Sequence, residues 1–286
     1  MEVQFDVTCD CEDGAPTGQE HEHAVMVGKL IAELGSPKNR LGVRIHDPIH
    51  QACYDDIDIL VTEAGKNISY LTIPKQLGYD DAARTVEYIQ NLAAKSGVPA
   101  PPLHILIETQ SALSEVFQIA SIEGLQGLTF GLLDFVSDHQ GAVPASAMRS
   151  PNQFAHQLIS RAKTEVAAAA LRYGLIATHN PCLEIQDRSV AFNDAKTARN
   201  NYGYMRMYSI HPSQIESIIS GMRPSEDEIE TAGEILLAAQ AADWGPISHK
   251  NEMHDRASYR YFWHLLQRAH VNGAPISTAA KNSFFQ

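Results

Sequence analysis

The chain has 286 residues, of which 44% are hydrophobic and 20% charged, and carries a net charge of −12. That balance is ordinary for a globular protein, while the acidic surplus excludes a nucleic-acid partner, because phosphate binding needs clustered Lys and Arg. No apolar run approaches the roughly 18 residues of a membrane span, and an amino terminus with Asp6, Asp10, Glu12 and Asp13 does not read as a secretory signal. Four scattered cysteines (Cys9, Cys11, Cys53, Cys182) do not make a disulfide scaffold, so a cytoplasmic protein with no membrane contact is expected.

In chain order, residues 3–10, 41–45, 69–73, 103–108, 125–131, 175–178 and 207–210 are short runs rich in Val, Ile, Leu and Thr, as buried parallel strands are. Helices are expected between them at 20–34, 80–95, 151–173 and 212–220. The third opens at Ser150-Pro151 and ends at Gly174, the usual proline-first, glycine-last asymmetry. Charged or polar residues close the strands: Glu12, Arg44, Lys75, Glu108, Asp134, His179 and His211, at spacings of 32, 31, 33, 26, 45 and 32. A strand, a return helix and two loops take about thirty residues. The pattern predicts an α/β fold of the TIM (β/α)8-barrel type, in which all strand ends meet on one face. Seven strands are counted rather than eight. Either the regular first strand of the barrel is absent or one is hidden in the pattern.

From residue 225 the pattern becomes helical only. Ser225 and Glu228 form a capping box ahead of IETAGEILLAAQAA. A second amphipathic segment, 255–270, carries Tyr259, Phe262, Trp263 and Leu266 at helical spacing, a stripe that reads as core or subunit contact. The tail 271–286 reads as a loop or swapped arm. The expected division is a barrel over 1–222 that carries the chemistry, and a helical extension over 223–286 that serves as oligomer contact or lid.

Glu108 and Asp134 close consecutive strands, which makes them neighbours on the rim. Two adjacent carboxylates raise each other's pKa. A hard cation removes that repulsion, and Mg²⁺ is commonly held by one or two carboxylates with substrate oxygens and water. The alternative is a rim salt bridge to Arg44 or Lys75. Arg44 ends its strand among apolar residues and needs an anion: a substrate carboxylate, Glu12 or Asp13. Lys75 is either a structural partner of a first-strand carboxylate or a Schiff-base amine. Cys9 and Cys11 share a strand face and read as small buried side chains. His179 and His211 read as hydrogen-bonded rim residues. There are 13 histidines but no HExxH, P-loop or GxGxxG, so no residues are assigned to an organic cofactor.

DCEDG at 10–14, VRIHDP at 43–48, IPK at 73–75, LIETQSAL at 106–113, GLTFGLLDF at 127–135 and YSIHPSQI at 208–215 together resemble the citrate lyase β-subunit-like family. That family lies within the HpcH/HpaI aldolase superfamily, beside the malyl-CoA and citramalyl-CoA lyases. The resemblance covers about residues 6–220. It implies a TIM barrel in which Glu108 and Asp134 hold Mg²⁺ and, with Arg44, bind substrate, Arg44 being the catalytic group. The implied reaction cleaves or forms a C–C bond between a 2-oxo acid (oxaloacetate, glyoxylate or pyruvate) and an acyl thioester. A homotrimer or homohexamer is implied as well. The chain departs from the family at GQEHEHAVMVGK, where a Lys and an Ala-Arg pair are usual, and at Arg206 and Met207, where Gly-Lys is usual. Those departures keep open an aldolase acting on free oxo acids without CoA, and a diverged barrel without catalysis.

Overall fold

Seven strands alternate with helices in the computed structural model, which describes residues 5–285. The strands are β1 (Val7–Asp10), β2 (Leu41–Arg44), β3 (Tyr70–Ile73), β4 (Leu103–Ile107), β5 (Leu125–Phe130), β6 (Ile176–His179) and β7 (Arg206–Met207). They form one sheet in sequence order, every neighbouring pair parallel. The helices that matter below are α1 (Glu20–Leu34), α2 (Cys53–Ala64), α3 (Tyr79–Ser96), α4 (Gln110–Ser114), α5 (Val116–Ala120), α6 (Leu132–Ser137), α7 (Asn152–Ala155), α8 (Gln157–Arg172), α9 (Arg188–Thr197) and α10 (Ile215–Met222). Of the expected first strand 3–10, residues 3 and 4 lie outside the described residues.

Alternation along each strand sorts the side chains onto two faces. Val43, Leu71, Ile73, Ile105 and Leu128 point outward and are fully buried under the helices. Thr8, Tyr70, Thr72 and Arg206 point inward and bond to one another or to nearby polar groups. Thr8 Oγ1 lies 2.6 Å from Tyr70 Oη, and Thr72 Oγ1 lies 3.4 Å from Tyr208 Oη. The Tyr70 ring covers Gly42, where it leaves no room for a Cβ. Arg206 on β7 donates to both oxygens of Asp6, at 2.7 and 2.6 Å, one residue ahead of β1. The sheet is therefore curled until its two edge strands are bridged by side chains.

The curl stops short of the closed eight-stranded barrel expected from the sequence. Among the described residues no ladder pairs β7 with β1, and there is no eighth strand in the sheet. Backbone closure needs strands about 4.8 Å apart, and β7 supplies only two paired residues. Other departures are local. The helix expected over 151–173 is two helices, broken at His156, whose ψ of 121° is extended. Helix α2 is not among those the sequence pattern predicts.

The chain divides into two compact units, one spanning Phe5–Ser220 and one containing Gly221–Gln286. The second holds α11 (Glu226–Ala241), α12 (Arg256–Val271) and α13 (Thr278–Phe284), with a hairpin of β8 (Ile247–His249) and β9 (Glu252–His254). The capping box at Ser225 and Glu228 forms as expected. Tyr259 and Leu266 are buried against Ile229, Ala232, Ile235 and Leu236, with Phe262 and Trp263 packed beside them, so the aromatic stripe is core. Two expectations fail here. The region is not helical only, since the hairpin interrupts it, and the tail is not a loop, since Ser277 caps α13 and Ala280 joins the core.

Candidate active site at the carboxyl ends of the strands

The site begins with the turn that follows β1. Asp10 accepts from the backbone N–H of Glu12 at 3.1 Å and of Gly14 at 2.9 Å. This bends DCEDG back on itself and leaves Glu12 and Asp13 at the strand end. Asp10 is the register partner of Arg44. Arg44 donates to it from Nε at 2.8 Å and from Nη2 at 2.5 Å, a bidentate pair. Arg44 Nη1 lies 2.8 Å from Glu12 Oε2. Burial would push the Asp10 carboxyl up, but the Arg44 hydrogen bonds and charge hold it below its ordinary value.

Lys75 stands two residues past β3. Its Nζ lies 2.8 Å from Glu12 Oε1, 2.9 Å from Asp13 Oδ2 and 3.8 Å from Asp134 Oδ1. Glu12, buried, is thus shared by two cations. Burial nevertheless leaves its carboxyl above the ordinary range, against the pull of Arg44 and Lys75. Burial also works against the Lys75 ammonium, but the hydrogen bonds to Glu12 and Asp13 raise its pKa overall.

Glu108 follows β4 and is 1% exposed. Its Oε1 accepts from the Lys75 backbone N–H at 2.6 Å. Burial, and then the charge of Asp134, push its carboxyl up to about 8 despite that hydrogen bond. Asp134 lies in the first turn of α6, with its side chain 37% exposed. Gly131, just before that helix, leaves the space that Glu108 occupies: a Cβ there would lie 2.6 Å from Glu108 Cβ.

The structure therefore places Arg44, Glu108 and Asp134 in one cluster with Lys75. Glu12 and Asp13 both lie in that cluster, but Arg44 pairs with Asp10 as well as Glu12, and Asp13 goes to Lys75. The Asp10–Arg44 pair was legible in the sequence only as two strand ends, because their register is a tertiary fact. Lys75 is paired with first-strand carboxylates, the structural alternative for that residue. His179 is not at the rim. It faces outward, fully buried, with Nε2 2.5 Å from Lys163 Nζ and Nδ1 2.8 Å from the Asn180 carbonyl oxygen. His211 is exposed and bonded to Ser213. Cys11 is buried as expected and Cys9 partly so.

Five carboxylates (Asp10, Glu12, Asp13, Glu108, Asp134) surround two cations, Arg44 and Lys75. The surplus of hard oxygen donors fits a divalent cation of the Mg²⁺ kind. Among the described residues no three or more His, Cys, Asp or Glu side chains converge as a ready-made metal cage. Mg²⁺ does not require one, since water and substrate oxygens complete its shell.

A parallel α/β curl with its charged cluster at the carboxyl ends of the strands places the polar groups where α/β enzymes of this layout carry their sites. A citrate lyase from Burkholderia xenovorans LB400 is 46% identical in its solved structure, with a TM-score of 0.88 over 98% of this chain and 88% of that one. The L-malyl-CoA/beta-methylmalyl-CoA lyase of Cereibacter sphaeroides is 22% identical over 94% of this chain and 88% of its own. The fold also matches the protein CitE of Mycobacterium tuberculosis, solved with magnesium, acetoacetate and coenzyme A. That match has 20% identity and a TM-score of 0.73, over 93% of this chain and 90% of that one. No protein-family model matches the chain. At this level of likeness to the Burkholderia protein, the chain belongs to the citrate lyase β-subunit-like family.

Proposed function

We propose that the protein is a Mg²⁺-dependent carbon–carbon lyase that cleaves or forms the bond between a 2-oxo acid and an acyl thioester. The observation that carries this reading is the Glu108–Asp134 pair beside Arg44, in a chain of a lyase family. Glu108 and Asp134 would hold the cation, whose contribution when bound is Lewis-acid polarisation of the 2-oxo oxygen.

The chain's own residues supply the rest. Arg44 has five N–H donors, of which Nε, Nη2 and Nη1 each engage a carboxylate once. Two donors remain for the oxygen of a 2-oxo acid, where they stabilise the negative charge that develops as the C–C bond forms. Asp10 and Glu12 fix the guanidinium from two sides, so its position is set before substrate arrives. In the cleavage direction the 3-hydroxyl loses its proton and the C–C electron pair leaves with the acyl fragment, as the enolate of its thioester. Protonation at carbon then yields the free thioester.

The reading extends to a TIM-type barrel ancestry for the seven-stranded curl. Residues 1–222 are assigned the metal site, and 223–286 the role of oligomer contact or lid in a homotrimer or homohexamer. Exposed Tyr261 and Val271 on α12 support that contact role. Four free cysteines support a reducing, cytoplasmic setting. One observation favours the alternative aldolase on free oxo acids. The first turn of α1, on the strand-end side of the sheet, carries Glu20 and Glu22, and no Lys or Arg precedes Lys29 in that helix. Such a turn is a poor neighbour for CoA phosphates. The test is a paired assay with Mg²⁺: cleavage of malyl-CoA and citramalyl-CoA against condensation of pyruvate with aldehydes. Thioester cleavage is expected. Turnover of the aldehydes alone would transfer the site to the second reading, and no turnover on either panel would remove the lyase assignment.

A further inference from the structure

Lys75 is the one residue of the cluster that touches both metal-site carboxylates, through different parts of itself. Its φ of +47° lies in the left-handed region, which side chains other than Gly rarely adopt. Such backbone persists where the surroundings over-determine it, commonly at functional sites. Here it follows Pro74, and the reversal aims the Lys75 N–H at Glu108 Oε1, 2.6 Å away. The side chain then runs to the other carboxylates. It makes two close contacts, 2.8 Å to Glu12 and 2.9 Å to Asp13, and one longer contact, 3.8 Å to Asp134.

We propose that Lys75 is a positioning residue of the metal site, fixing Glu108 through its backbone and holding Asp134 through an ammonium group that competes with the divalent cation. This rests on the lyase reading above for the identity of the cation. The ammonium stands beside Asp134 where a second positive charge would approach, so the two repel. Glu12 and Asp13 give it somewhere to go. It can leave Asp134 without losing a counter-ion, because its two shorter contacts are elsewhere. The ammonium thus balances the Asp134 charge before the metal binds, and weakens metal affinity in doing so.

A lysine with a merely structural role would behave in the opposite way. Removing it would let the carboxylates splay, and metal binding would weaken. The discriminating experiment is calorimetric titration of Mg²⁺ into the full chain carrying no substitution, K75M, K75Q, K75R or D134N, with circular dichroism to verify folding. A charge within about 4–6 Å moves a neighbouring charged equilibrium by about tenfold or more. K75M is expected to bind Mg²⁺ about tenfold tighter than the unsubstituted protein on that scale, while K75R stays close to it. K75Q keeps polar contacts to Glu12 and Asp13 and serves where methionine impairs folding. A gain in affinity is an outcome that misfolding does not produce. Affinity unchanged or weakened in the folded neutral variants overturns the role of Lys75. If D134N at the same time abolishes binding, the lyase reading stands without it. Absence of Mg²⁺ binding in the unsubstituted protein overturns both.

Discussion

Glu108 ties metal binding to protons. Burial and the Asp134 charge hold its carboxyl near pH 8 in the metal-free protein. A cation bound to it must therefore displace a proton throughout the neutral range. With one proton released, the apparent Mg²⁺ dissociation constant should fall roughly 50-fold between pH 6 and pH 8. It should then level off near pH 9. The sign for folding follows from the same shift. The folded pKa lies above the unfolded one, so the protonated carboxyl contributes stability that is full below about pH 4.5 and is lost as pH rises through about 8. The size of that loss is on the order of 4–5 kcal/mol in the metal-free protein, at about 1.4 kcal/mol per pH unit. Mg²⁺ should restore it. The assays are calorimetry at pH 6, 7, 8 and 9 in buffers of different ionisation enthalpy, and thermal melts with and without Mg²⁺. An Mg²⁺ affinity independent of pH between 6 and 8, or no proton release at pH 7, would mean that Glu108 is already ionised before the cation binds. In E108Q the pH dependence should vanish together with most of the affinity.

Two further outcomes follow from packing. G131A puts a methyl 2.6 Å from Glu108 Cβ, so the carboxylate must move; the expected result is about 1–3 kcal/mol of destabilisation with Mg²⁺ binding weakened in the same titration. L266A empties a fully buried position between α11 and α12, and should lower unfolding free energy in urea by about 2–5 kcal/mol.

The strands were legible because each is a short apolar run closed by a polar residue, and a buried parallel strand permits little else. All seven appear within a few residues of their expected bounds. Helix α2 was equally written in the chain: Cys53, Ile57, Leu60, Val61 and Ala64 are buried at helical spacing. Its acidic residues, Asp55, Asp56 and Asp58, mask that stripe. The β8–β9 hairpin turns through Lys250 and Asn251, both with positive φ. Lysine at such a position gives no turn signal, and strands of three residues show no periodicity. Lys163, fully buried among Gln153, His179 and Asn180, was unreadable for a similar reason. A lysine on an alanine-rich helix predicts solvent. At the site, the carboxylates and Arg44 could be read from strand ends because topology alone gathers them on one face. Which carboxylate meets which cation could not. The register sets Asp10 against Arg44, and a left-handed turn at Lys75 sets its N–H against Glu108.

The decisive measurement is the stoichiometry of Mg²⁺ bound by the purified chain, compared with E108Q and D134N under the same conditions. One Mg²⁺ per chain, lost or greatly weakened in each single variant, is the predicted result. Undiminished binding in either variant would mean that Glu108 and Asp134 do not share a cation.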